Sequence, residues 1–246
     1  MKSWPGARYW LIGASEGLGR ALAHQLSAAG AEVIVSARSE DRLRALVDEL
    51  PGLASYRVMD VTSRASVTAA AEAVGEVDGM VWLAGVYWPM AAQHWDADRA
   101  EAMADVNFAG AVRAVGAVLP GMVARGRGHI VLTGSLSGFR GLPGAAAYGA
   151  SKAGVMYLAE ALHADLHGTG VQVQLVNPGF IKTRLTDRND FAMPFIMQPD
   201  AAAAAVMRHM ETHRFKRSFP LLFSWVFRAS QLLPDWLYYR LIRKAA

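Results

Sequence analysis

Short, nearly unbroken apolar runs punctuate this chain, and between them apolar residues recur every three or four positions. Residues 8–12, 32–37, 53–59, 77–83, 129–133 and 171–176 are such runs and read as strands, since near-continuous apolarity marks a strand buried on both faces. The segments 18–29, 40–50, 66–74, 97–124 and 147–166 between them read as helices. Leu18, Ala21, Leu22 and Leu26 share one side of the first, and 97–124 has room for one helix or two. A further helix is expected over 200–213. Strands alternating with helices build a parallel sheet covered on both faces. The expected fold is therefore α/β, a doubly wound, Rossmann-like parallel sheet with ligands at the carboxyl ends of its strands.

The 246 residues, 53% of them hydrophobic, suffice for one large core but not for two. A single domain over 1–246 is expected, with a core at about 8–183, a lid at about 184–198 and C-terminal helices over 199–246. Without cysteine the chain can form neither disulfides nor a thiolate metal site, which makes the cytosol the default location. The first residues lack the pattern of a signal peptide, and the longest apolar runs fall short of the ~20 residues of a spanning helix. Charge is uneven: of the net +4, the segment from Arg214 onward carries +6, with seven basic residues against Asp235, and the rest carries −2. No nucleic-acid motif accompanies this basic tail, so nucleic acid is not an expected partner.

Between the first strand and first helix lies Gly13-Ala14-Ser15-Glu16-Gly17-Leu18-Gly19. Glycines here let backbone approach a pyrophosphate, and a helix N-terminus offers free amides. Gly13, Ser15, Gly17, Leu18 and Gly19 are thus a candidate dinucleotide cradle, the plainer alternative being a tight turn with a helix cap. The second strand ends at Ala37-Arg38 with no carboxylate to accept a ribose 2′-hydroxyl. A guanidinium there suits a 2′-phosphate, which favours NADP(H) over NAD(H), although Arg38 also fits an ordinary helix-start arginine. Asp60, after the third strand, is placed for the adenine edge or for a turn. Tyr148 and Lys152 are four apart on one helix, a spacing that brings a cation near a phenol and is expected to move its ionisation towards neutral pH.

With Ser135 thirteen residues before Tyr148, these motifs in this order resemble the classical short-chain dehydrogenases/reductases over about residues 8–183. Gly13, Gly17 and Gly19 match that family's cofactor glycines, Asp60-Val61 its adenine contact, and Ala84-Gly85 part of its fourth-strand motif. Asn107, Ser135, Tyr148 and Lys152 match its catalytic tetrad, and Asn177-Pro178-Gly179 with Thr183 its nicotinamide-side loop. The resemblance implies that Tyr148 exchanges a proton with the substrate oxygen while Lys152 lowers its pKa and binds the nicotinamide ribose. It further implies that Ser135 hydrogen-bonds the carbonyl oxygen, Asn107 holds a water linking Lys152 to solvent, and Thr183 meets the carboxamide or phosphate side. Singly, each of these residues also fits an ordinary turn, helix or surface position. Two departures stand out: Ile12 where the family has threonine, and Trp82-Leu83 where it has two asparagines. These are expected to alter local rigidity and cofactor affinity rather than the chemistry. Glu16 sits awkwardly for a loop that faces phosphate, at small cost if it points to solvent.

The segment 184–198 is polar first and rich in Met and Phe after, as a lid over an apolar substrate would be; packing of the lid onto the body is the equal alternative. Trp88, Met90, Phe139, Leu142 and Pro143 are further candidates to line the substrate end. His209 and His213 have ligand-pair spacing without a third ligand, and read better as surface histidines of one helix. In the tail 216–244, large apolar residues interleave with arginines. A last strand plus helices packed on the core or on a sister subunit is favoured over a helix lying in a membrane interface, which would make the protein a peripheral membrane one. The expected function is an NADP(H)-dependent oxidoreductase interconverting a ketone or aldehyde with an alcohol, on a small, apolar molecule, in a homodimer or homotetramer. Its rivals are a silent NADPH-binding regulator on the same fold and a membrane-surface lipid carbonyl reductase.

Overall fold

The structure, a computed structural model, describes residues 4–188 and 193–245. Seven parallel strands form one sheet: β1 (Arg8–Ile12), β2 (Glu32–Ala37), β3 (Ala54–Val58), β4 (Gly79–Trp82), β5 (Gly128–Thr133), β6 (Val171–Pro178) and β7 (Lys216–Phe219). Their order is β3-β2-β1-β4-β5-β6-β7, so the winding reverses between β1 and β4 and opens a crevice above that pair. The helices are α1 (Gly17–Ala28), α2 (Glu40–Glu49), α3 (Arg64–Val74), α4 (Ala97–Ala104), α5 (Gly110–Arg125), α6 (Ala146–Asp165), α7 (Pro199–Met210), α8 (Leu221–Ser230) and α9 (Asp235–Ala245).

Successive strand side chains feed two cores. Leu11, Val33, Val35, Val81 and Val131 meet α1, α2 and α7 on one face, while Trp10, Ile34, Met80, Ile130 and Leu132 meet α3, α5 and α6 on the other. Ile12 and Trp82, the two departures from the family pattern, are register partners on this second face and fully buried. Trp82 fits because α5 opens with Gly110, where a Cβ would stand 3.0 Å from the indole. Apolar packing has thus taken the place of a polar brace.

The stretch 97–125 runs as α4, a π-helical turn over Asp105–Ala109, and α5. By length and composition this helix is long and apolar enough to cross a bilayer, but in the fold Ala111, Ala114, Val115 and Met122 are buried in the second core.

At the amino-terminal side of the sheet, a buried polar chain ties three strands together. The Tyr9 ring passes over β4 at Gly79, where a Cβ would lie 2.2 Å from the ring, and its hydroxyl reaches His129 Nδ1 on β5 at 2.9 Å. His129 Nε2 in turn is 2.8 Å from Gln174 Oε1. The Gln174 amide nitrogen faces the carbonyls of His209, Thr212 and Arg214, which only accept, so its oxygen must accept from His129 Nε2–H. The Tyr9 hydroxyl closes the chain at the other ring nitrogen, Nδ1. Burial pushes the Tyr9 phenol far up. Tyr9→Phe removes the hydroxyl from this buried chain and is expected to cost about 1–3 kcal/mol. Urea denaturation measures it; an unchanged midpoint would show that the chain contributes nothing.

Candidate active site

Above the β1–β4 crevice lies a cleft of about 1210 Å³. On one wall, Gly13 has φ 92° and comes so close to β4 that a Cβ would stand 2.3 Å from the Ala84 nitrogen. A Cβ on Gly19 would stand 2.4 Å from the Gly13 carbonyl, so the start of α1 is pressed onto the turn. Glu16 occupies the N-cap of α1 without making a side-chain cap, which leaves the first amides of α1 directed at the cleft. These features fit a pyrophosphate, and Ser15, Gly17 and Leu18 line the same wall. Glu16 stays partly exposed and pairs at the surface with Arg42 at 3.1 Å and Arg184 at 3.2 Å.

Arg38 is exposed at the end of β2 and lines the cleft together with Arg42, one helical turn on. Sequence reasoning missed Arg42, although its four-residue offset from Arg38 was the available signal. Asp60 and Val61 line the adjoining wall. The Asp60 carboxylate accepts from the Thr62 amide at 3.0 Å and hydroxyl at 2.8 Å. Those bonds, the amide first, hold it below the usual carboxylate range, so the turn role is present alongside the cleft position.

At the deep end Ser135, Tyr148 and Lys152 converge beside Ala84, Gly85, Pro178 and Gly179. Ser135 Oγ accepts from the Ser137 amide at 3.2 Å and hydroxyl at 2.9 Å, so its own proton is free to hydrogen-bond the Tyr148 oxygen. Lys152 Nζ donates to the Thr133 carbonyl at 3.0 Å. Thr183 lies against Gly17, whose Cβ would come 2.8 Å from the Thr183 methyl. Of the four expected catalytic residues, Asn107 alone lies outside the cleft lining. The π-helical turn aims its amide at the Val86 N–H (2.7 Å), the Val86 carbonyl (3.0 Å) and Ser151 Oγ (3.0 Å). Its side chain braces the post-β4 loop against α6.

The substrate end has contributors the sequence did not single out: Tyr87, whose ring is edge-on to Tyr148 at 4.8 Å, and Phe223, Phe227 and Ile242 from the tail. Met90, Leu142 and Pro143 line the cleft as expected. Trp88 instead lies under the Arg188 guanidinium, and Phe139 packs on the second core. Of the lid expected over 184–198, residues 189–192 lie outside the described residues; Leu185 and Arg188 line the cleft.

A family model described as short chain dehydrogenase matches residues 9–192. The chain belongs to the short-chain dehydrogenase family. An uncharacterized oxidoreductase of Myxococcus xanthus is 39% identical to this dehydrogenase over 235 residues, covering 93% of each chain. A sulfoacetaldehyde reductase of Chromohalobacter salexigens is 37% identical over 185 residues, covering 72% of this chain and 73% of its own. Among solved structures, an actinorhodin polyketide ketoreductase with NADPH superposes with a TM-score of 0.80 at 28% identity, covering 89% of this chain and 97% of its own.

Electrostatics in this short-chain dehydrogenase differ from what the Tyr148–Lys152 spacing predicts. Desolvation outweighs the Ser135 hydrogen bond and, with Tyr87 adding to it, pushes the Tyr148 phenol up to about 12. Lys152 donates to the Thr133 carbonyl, and its ammonium is 5.9 Å from the centre of the Tyr148 ring. The same desolvation brings Lys152 down to about 8. His209, expected on the surface, is buried and close to the Phe215 carbonyl at 3.3 Å, with burial lowering its pKa; His213 lies beyond α7. Among the described residues no group of His, Cys, Asp and Glu suits a metal.

Unfolding returns Lys152 to its ordinary 10.5, so between about 8 and 10.5 the unfolded chain holds the extra proton and stability rises with pH. At pH 7 the full cost of the buried ammonium is present. Tyr148 acts oppositely: held at about 12 against 10.0, it makes stability fall as pH rises through that interval. Lys152→Met is expected to stabilise the protein by roughly 1–3 kcal/mol at pH 7, the gain shrinking towards zero at about pH 10. Urea denaturation at both pH values checks this, and a destabilised variant at pH 7 would show that the ammonium is no net cost.

Proposed function

We propose that this dehydrogenase is an NADP(H)-dependent reductase that interconverts an apolar ketone or aldehyde with its alcohol. The observation that carries the reading is the Ser135–Tyr148–Lys152 convergence at an apolar end of a cleft whose other end presents Arg38 and Arg42. A bound nicotinamide dinucleotide supplies the hydride. Gly13, Ser15, Gly17, Leu18 and Gly19 hold its pyrophosphate, Arg38 and Arg42 its 2′-phosphate, and Asp60 and Val61 its adenine side. Ala84, Gly85, Pro178, Gly179 and Thr183 border the nicotinamide half. The ketoreductase neighbour solved with NADPH supports the choice of cofactor, and the sulfoacetaldehyde reductase supports carbonyl chemistry.

Ser135 donates to the carbonyl oxygen as negative charge grows there, and Tyr148 delivers the proton. A phenol held near 12 is fully protonated at neutral pH, the form an acid for reduction needs. Lys152, an ammonium below about pH 8, binds the ribose and favours the phenolate that proton delivery leaves behind. Asn107 positions the loop that carries Val86 and Tyr87. Phe223, Phe227 and Ile242 give the substrate an apolar wall. The enzyme is cytosolic in this reading and self-associates through α5 and α6, where Val112, Val123 and Tyr157 are exposed.

NADPH oxidation against carbonyl compounds graded by chain length tests the proposal. Expected are turnover rising with apolar length, and a loss on the order of 10²–10⁴-fold in Tyr148→Phe. No turnover with NADPH still bound would favour the silent regulator. Arg38→Ala is expected to raise the KM for NADPH by roughly 10–100-fold while leaving that for NADH unchanged; equal use of both cofactors by the wild type would reject the 2′-phosphate site.

A further inference from the structure

Helix α8 is apolar on two sides. Phe223 and Phe227 line the cleft, whereas Leu221, Leu222, Trp225 and Val226 on the outer side are 56% to 70% exposed. Those four alone leave on the order of 500 Å² of apolar surface in water, the upper end of what a monomer carries. The surface continues at both ends. Phe195 and Ile196 of the lid are exposed, and the Phe195 ring lies 5.6 Å from Phe223 although φ at Phe195 is 58°, an unfavourable conformation for so bulky a residue. Beyond α8, Leu232 and Trp236 are exposed as well.

The C-terminal segment beside this surface is basic. On α9, Trp236, Tyr239 and Arg240 are exposed and share one side at helical spacing, and the sequence continues with Arg243 and Lys244. Asp235, the one acid from Arg214 onward, is taken by Arg140 at 2.5 Å. Trp and Tyr flanked by arginine suit the headgroup region of a bilayer, and unopposed basic charge suits anionic lipid. The tail is no loose appendage, since Arg140 also binds the Leu233 carbonyl at 2.8 Å and stacks 3.9 Å over Tyr238, whose hydroxyl donates to the Gly141 carbonyl at 2.8 Å. A rigid platform therefore presents the apolar face, and the far side of that platform is the wall of the cleft.

We propose that the outer faces of α8 and α9, with the lid tip at Phe195 and Ile196, dock on an anionic lipid bilayer and bring the apolar end of the cleft against it. Resting on the reductase reading, the substrate class follows: a long-chain carbonyl lipid drawn from the bilayer. The test uses the full chain, sedimented with vesicles of phosphatidylcholine alone or mixed with phosphatidylglycerol, beside a Leu222→Asp, Trp225→Asp double variant. Expected is binding to the anionic vesicles that salt weakens, reduced at least about tenfold in the variant. The variant should retain wild-type turnover of a short water-soluble aldehyde but lose the stimulation by anionic vesicles of long-chain aldehyde reduction. Absence of vesicle binding, or binding that the double variant retains, overturns the proposal. So does a wild-type dimer that the variant converts to monomer without lipid, since a second copy would then cover the face. Vesicle binding with no carbonyl turned over removes the reductase reading and leaves the docking surface standing.

Discussion

The close approach of two parallel strand ends is the constraint on which this molecule depends. Where β1 leaves the sheet, Gly13 lies against Ala84 with no room for a side chain, and Gly19 lets α1 start directly beneath the turn. Had either position carried a Cβ, the turn would be pushed off β4 and the first amides of α1 would no longer face the crevice. The strand order sets where such a crevice opens, because sequence-distant chains diverge only at the β1–β4 boundary. The glycine turn, the buried lysine and the tyrosine are all placed relative to that one contact.

Against this frame the deep end of the cleft is costly. An ammonium removed from water and given one carbonyl partner is destabilising, as its fall to about 8 records, and the phenol beside it is displaced the other way, to about 12. Neither shift helps the fold. Stability elsewhere supports the site: the Tyr9–His129–Gln174 chain locks three strands at the opposite end of the sheet, and the Asn107 amide ties the loop after β4 to Ser151 of α6.

The strand and helix pattern and the cleft-lining motifs were legible because they depend on residue type and local spacing. Glycines at 13, 17 and 19, and a tyrosine four before a lysine, carry their meaning within one turn of chain. What stayed hidden depends on direction. Spacing put Lys152 and Tyr148 on one helical side but could not say that Thr133, nineteen residues earlier, would capture the ammonium. Likewise the His209–His213 offset says nothing about which side of α7 is buried, and the expected surface histidine proved a core one. Asn107 was found by motif, yet its use as a brace follows from a π-helical turn that no local rule announces.

The C-terminal tail is the sharpest case of that limit. Its composition allowed either packing on the protein or lying on a membrane, and those were weighed as alternatives. In the structure one helix does both kinds of thing: Phe223 and Phe227 close the cleft, while a quarter-turn away Leu222, Trp225 and Val226 face outward. A helix apolar all round normally belongs inside a core. Here the protein covers one side only, and the arginine contacts that fix the tail act on its inner edge and leave the outer one bare. The apolar cleft wall and the exposed apolar surface are thus two sides of the same ten residues.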